Sequence, residues 1–105
     1  MAWVLLVVAG LLEVVWAFAM KQSAGFTRPG WSALTLAAMI ASFALLSVGM
    51  RTLPLGTAYA IWTGIGAVGA FLLGIMLLGE AATALRIAAA AMIVGGLALM
   101  KWATP

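Results

Sequence analysis

The chain has 105 residues, of which 68% are hydrophobic and 7% charged. A soluble domain carries about 25% charged residues, so this composition excludes a water-facing surface over most of the molecule and places the chain in lipid. Cysteine and histidine are absent and the net charge of +3 comes from singly scattered cations, which excludes disulfides, thiolate metal sites, His-based acid–base chemistry and a basic nucleic-acid patch.

A membrane-spanning helix needs about 20 mostly apolar residues. The first such stretch runs over 3–20 and is interrupted only by Glu13. It reads as a span rather than a signal peptide, because it lacks a basic start and has an acid near its centre. Residues 21–30 (KQSAGFTRPG) carry two cations, two glycines and a proline, and read as a loop. The second span covers 31–50 and has no charge, and Arg51-Thr-Leu-Pro-Leu-Gly56 makes a tight turn. The third covers 55–78 and ends at Gly79-Glu80. The fourth is set at 82–101, with Arg86 one turn inside and able to snorkel to the surface. The apolar runs are continuous rather than alternating, so barrel strands are excluded.

The fold class expected is therefore an all-α membrane protein with four spans in a single integral membrane domain. Its short loops leave no space for an extramembrane catalytic domain, so no enzyme is expected. No GxxxxGK[ST] phosphate loop is present. If the chain transports a solute, an ion gradient is the expected energy source. No cofactor and no metal is implied.

Four spans put both termini on one side of the membrane. That side holds Arg51 and Lys101, and the other holds Lys21, Arg28 and Arg86. Orientation normally follows a clear Lys/Arg excess in the cytoplasmic loops, and here the two sides are nearly equal. Either the weak bias, helped by the amino terminus, still selects one orientation, or both orientations insert. In the second case oppositely oriented copies can pair as an antiparallel dimer. Such a pair has the inverted symmetry that larger transporters build within one chain.

Glu13 is the only carboxylate at bilayer depth. Placing an acid at a helix centre costs about 2.5–3.5 kcal/mol on insertion scales. It reads either as a protonated acid gluing helices together or as a proton- and cation-binding carboxylate facing a wet cavity. Its helical neighbours Ala9, Gly10, Trp16 and Ala17 favour the second reading. Three of them are small enough to let a helix or a ligand approach. Two such carboxylates meeting across a dimer axis would titrate as a coupled unit.

Ser42 lies near mid-depth of the second span on a stripe with Thr35, Ala38, Met39, Leu46 and Gly49. Its hydroxyl bonds either its own helix backbone or a neighbour. Trp3, Trp31 and Trp102 lie at span ends, as interfacial aromatics do. Trp16 and Trp62 lie deeper, with Tyr59 one turn before Trp62, and aromatic faces near a carboxylate suit a cation. Gly64-Ile-Gly66 is a candidate hinge. In the fourth span Ala91 and Gly95 stand at small-xxx-small spacing and read as a dimer interface.

The sequence Glu13-Val-Val-Trp16-Ala, followed by Lys21 and Gly25-Phe26-Thr27, resembles the first helix and loop of the small multidrug resistance family. Leu53-Pro-Leu-Gly-Thr-Ala-Tyr59-Ala-Ile-Trp62-Thr-Gly64-Ile-Gly66 is similar to its third helix. Trp16 together with Ser42 looks like the guanidinium-exporting subtype. What the resemblance implies is an antiparallel, dual-topology homodimer in the bacterial inner membrane. It would export guanidinium-type cations in exchange for protons. Glu13 would be the shared proton and substrate site, lined by Trp16, Ser42, Tyr59 and Trp62. An exporter of quaternary ammonium or hydrophobic cations, and a non-transporting membrane subunit, are the alternative readings. One departure is visible. Where family members often have proline after the Glu that follows the third span, this chain has Glu80-Ala81-Ala82, which puts the rigidity of that loop in question.

Overall fold

The computed structural model describes residues 1–104. The apolar run that opens the chain forms α1, Ala2–Gln22, with Lys21 in its last turn, where a cation complements the helix dipole. Ser23 then turns the chain. Its hydroxyl donates to the Met20 carbonyl at 2.6 Å and accepts from the Phe26 N–H at 3.1 Å. Ala24, Gly25 and Phe26 all have positive φ, so the reversal takes only the segment 23–28.

Pro29 opens α2, Pro29–Gly49. A proline suits the first helical position, because its missing N–H would have no partner there. This is why the helix begins before residue 31. After the turn at 50–54, α3 runs unbroken over Leu55–Leu78. It stops at Gly79, whose φ of 68° is the left-handed conformation that glycine adopts without cost. The Glu80 N–H then closes back onto the Gly74 carbonyl at 3.0 Å.

Helix α4 covers Ala84–Ala103. It starts two residues later than the hydropathy pattern suggests, because the Thr83 hydroxyl accepts from the Arg86 N–H at 3.2 Å and so caps the helix. Arg86 does more than snorkel. Its guanidinium donates to the Ala81 carbonyl and lies over the Phe71 ring. The loop that lacks proline is thus tied down by an arginine. All four helices are long and apolar enough to cross a membrane, and the described residues contain no strand.

The packing is unequal. Helix α1 lies between α2 and α3, while α4 lies against α3. Leu6, Ala9, Leu46, Ala58, Ile61 and Trp62 form the core where α1, α2 and α3 meet. Small residues bring α1 and α3 together. Gly10 faces Ile65, Gly66 faces Glu13, and Gly69 faces Val14. Gly64 turns the other way and receives Leu97 of α4. Helix α4 buries no residue, and both Ala91 and Gly95 lie open on its surface.

Candidate functional site

The site forms where the middle of α1 meets the middle of α2 and α3. Ser42 comes from the buried stripe of α2, which also holds Thr35, Ala38, Leu46 and Gly49. Its hydroxyl donates across the helix boundary to the Ala9 carbonyl at 2.7 Å. It accepts from the Trp62 indole N–H at 2.9 Å. One side chain thereby links three helices, and Ser42 does not bond its own backbone. Thr35 does, donating to the Trp31 carbonyl at 2.8 Å. Trp62 is buried and its ring is held on one side by this bond.

Ser42→Ala is expected to leave the Trp62 N–H buried without an acceptor. Interhelical hydrogen bonds in membranes contribute modestly, so the loss should be about 1 kcal/mol of folding stability. Equilibrium unfolding in mixed micelles measures it, with Ser42→Thr as the variant that keeps the hydroxyl and should keep the stability.

Glu13 lies one helical turn beyond Ala9. Its carboxylate rests directly on the backbone of Gly66, and a Cβ at that position would overlap it. Among the described residues, two buried side-chain polar atoms have no hydrogen-bond partner: Glu13 Oε1 and Trp16 Nε1. Buried polar atoms are nearly always paired, and these two lie one turn apart on the same helix. One is an acceptor and the other a donor. Polar atoms left free in this way are available to a ligand or to a second chain. No group of three His, Cys, Asp or Glu side chains placed to hold a metal ion occurs among the described residues.

An aromatic wall continues from this point. Trp16 meets Phe43 edge-on with centroids 6.4 Å apart, Phe43 meets Trp62 at 5.6 Å, and Trp62 meets Tyr59 at 5.5 Å. The structure therefore joins Trp16, Ser42, Tyr59 and Trp62 into one surface. Tyr59 is half-exposed at its outer end. Phe43 is the member that sequence reasoning passed over. A lone Phe in an apolar span reads as lipid-facing, and its position next to Ser42 was the only available signal.

Comparison with known proteins places the chain among its relatives. The family model described as Small Multidrug Resistance protein matches residues 1–94. A guanidinium exporter of Citrobacter freundii and one of Salmonella typhimurium are each 57% identical over 104 residues, covering 99% of both chains. The guanidinium exporter of Escherichia coli strain K12 is 56% identical over the same length and coverage. The four spans, the family-model match and the similarity over nearly the whole chain to named transporters lead to one conclusion: this chain is a multi-pass membrane protein of the small multidrug resistance family.

Proposed function

We propose that this protein exports guanidinium-type cations across the bacterial inner membrane in exchange for protons. Glu13 is the group that binds both. The observation that carries the reading is the Glu13 carboxylate at mid-span, seated on Gly66, with one buried oxygen lacking any partner. Relatives 56–57% identical over their full length are named guanidinium exporters, which supports the choice of substrate.

The chemistry is consistent with that choice. Guanidinium is planar and presents N–H donors in a fork that matches a carboxylate. It remains charged at any physiological pH, as the arginine side chain does. It cannot leave the site by losing a proton, so protons must displace it from Glu13. The aromatic wall of Trp16, Phe43, Trp62 and Tyr59 gives the cation an electron-rich surface.

The working unit in this reading is an antiparallel homodimer of dual topology. Helix α4 buries nothing within the protomer and exposes Ala91 and Gly95. A surface of small residues suits helix pairing in lipid. Two copies bring two Glu13 carboxylates to one chamber, which allows two protons for each cation. Gly64 and Gly66 are the assigned hinge of α3 for alternating access. Gly64 lies against Leu97 of α4 and Gly66 against Glu13 of α1.

Reconstituted liposomes under an imposed pH gradient test the function. Proton-coupled flux of guanidinium is expected, with binding weakening as pH falls because protons compete for Glu13. Flux confined to quaternary ammonium ions would move the protein to the other exporter class. No coupled flux of any cation would make it a non-transporting subunit. Reporters fused to the carboxyl terminus should signal equally from both sides of the membrane, and a one-sided signal would end the dual-topology assignment.

A further inference from the structure

A second constellation with guanidinium-binding chemistry lies at the end of the bundle, away from Ser42 and Trp62. A cleft of about 340 Å³ opens between α1, α3 and the start of α4, with Lys21, Phe71, Glu80 and Arg86 on its walls. The Arg86 guanidinium carbon is 5.1 Å from the centroid of the Phe71 ring. Its Nη2 is 4.0 Å from Glu80 Oε1, and its Nη1 donates to the Ala81 carbonyl. An aromatic face, a carboxylate and a carbonyl therefore converge on one planar cation.

Two of these groups, Glu80 and Phe71, have supports of their own besides Arg86. The Glu80 N–H is bonded to the Gly74 carbonyl at 3.0 Å. Its carboxylate rests against Gly74, where a Cβ would overlap it. Phe71 is fixed on α3, about two turns before its end at Leu78. Arg86, by contrast, is a long side chain with 42% of its surface exposed, free to swing toward water. If it swings out, the rim retains Lys21 and Glu80, and an incoming cation takes over the contacts that Arg86 gives up.

We propose that Phe71, Glu80 and the Ala81 carbonyl form a second guanidinium-binding site at the membrane surface, filled in the resting protein by Arg86 itself and open to a free guanidinium-type cation when Arg86 moves away. The cleft extends inward to Ala17 and Ala70. Ala17 is one helical turn beyond Glu13 and Ala70 one turn beyond Gly66. The site thus stands at the outer end of a lane that approaches the mid-span carboxylate. There it holds a cation before or after its contact with Glu13, and Arg86 competes for the same place. This role rests on the guanidinium reading above.

The test removes Glu13 from every sample, so failure of the transport reading and failure of this inference are distinguishable. Glu13→Gln, Glu13→Gln/Arg86→Ala and the triple variant adding Glu80→Gln are purified in detergent. Millimolar guanidinium chloride is added, with sodium chloride at equal ionic strength as control, and Tm is measured. A ligand that binds only the folded state raises Tm. The double variant is expected to show a gain of a few degrees with guanidinium, the single variant a smaller gain because Arg86 competes for the site, and the triple variant none. No gain in the double variant, the same gain with sodium chloride, or a gain that survives Glu80→Gln would overturn the assignment. If Arg86→Ala does not fold, Arg86→Gln carries the same comparison. A second measurement uses intact Arg86: guanidinium should shift its Nε–H resonance in the Glu13→Gln protein, and an unmoved resonance counts against the site.

Discussion

Replacing Glu13 with Gln is expected to reduce gradient-driven guanidinium flux to the level of protein-free liposomes while leaving the helices folded. Two losses combine. The amide keeps the size of the side chain but not its charge, and a hydrogen bond to a charged group contributes about 1.5–3 kcal/mol. Affinity for the cation should therefore fall roughly ten- to a hundredfold. Coupling is lost as well. The chain contains two acidic residues, and Glu80 lies beyond the end of α3, so no titratable acid remains at mid-span to exchange protons. Stability should change in the opposite direction. An acid at bilayer depth is expensive, and the neutral amide relieves that cost. A protein that folds at least as well and yet transports nothing separates a functional carboxylate from helix glue. Retention of proton-coupled flux by Glu13→Gln would remove this residue from the site.

The second large effect concerns a residue with no side chain. Gly66→Ala is expected to abolish or severely reduce transport, because the added Cβ would occupy the position of the Glu13 carboxylate. Either α1 and α3 move apart or the carboxylate turns out of its seat. Forced overpacking costs about 1–3 kcal/mol, and a turned carboxylate leaves its place against Gly66. Two comparisons isolate the cause. Gly64→Ala meets the flexible end of Leu97 from α4, so it should disturb the α3–α4 contact and spare cation binding. Gly56→Ala has open space around it and should change neither. Binding titrations on the three variants check this order. If Gly66→Ala binds guanidinium as Gly56→Ala does, the glycine seat has no part in positioning Glu13.

Both effects show how differently the parts of this protein can be read. The four helices follow from the length and polarity of four stretches, since hydrocarbon leaves the backbone no other partner than itself. The starts of α2 and α4 shift by two residues for local chemical reasons, Pro29 at a first helical position and Thr83 as a cap, while α3 stops at Gly79 in the left-handed conformation. Glu13 is conspicuous in the sequence because its burial is expensive. The stripe through Thr35, Ala38, Met39, Ser42, Leu46 and Gly49 is visible in the helical period, and all of it except the half-buried Met39 is buried.

Other features depend on which helix faces which, and periodicity carries no information about that. Ser42 has one hydroxyl and many conceivable partners. Only the approach of α1 and α3 selects the Ala9 carbonyl and the Trp62 indole. Gly66 reads as a flexible point along α3, yet its closest neighbour is a carboxylate from α1. Phe43 looks like any lipid-facing aromatic until Trp16 and Trp62 arrive on either side of it. Arg86 reads as a surface anchor, and the fold brings it over Phe71, fifteen positions earlier in the chain. The sequence by itself determined that this chain lives in lipid, crosses it four times and holds one costly acid at mid-depth, because those are matters of composition and period along a single helix. The tertiary structure alone decided what the acid rests on, what surrounds it and which polar atoms stay unpaired, because these depend on contacts between helices that share no local signal.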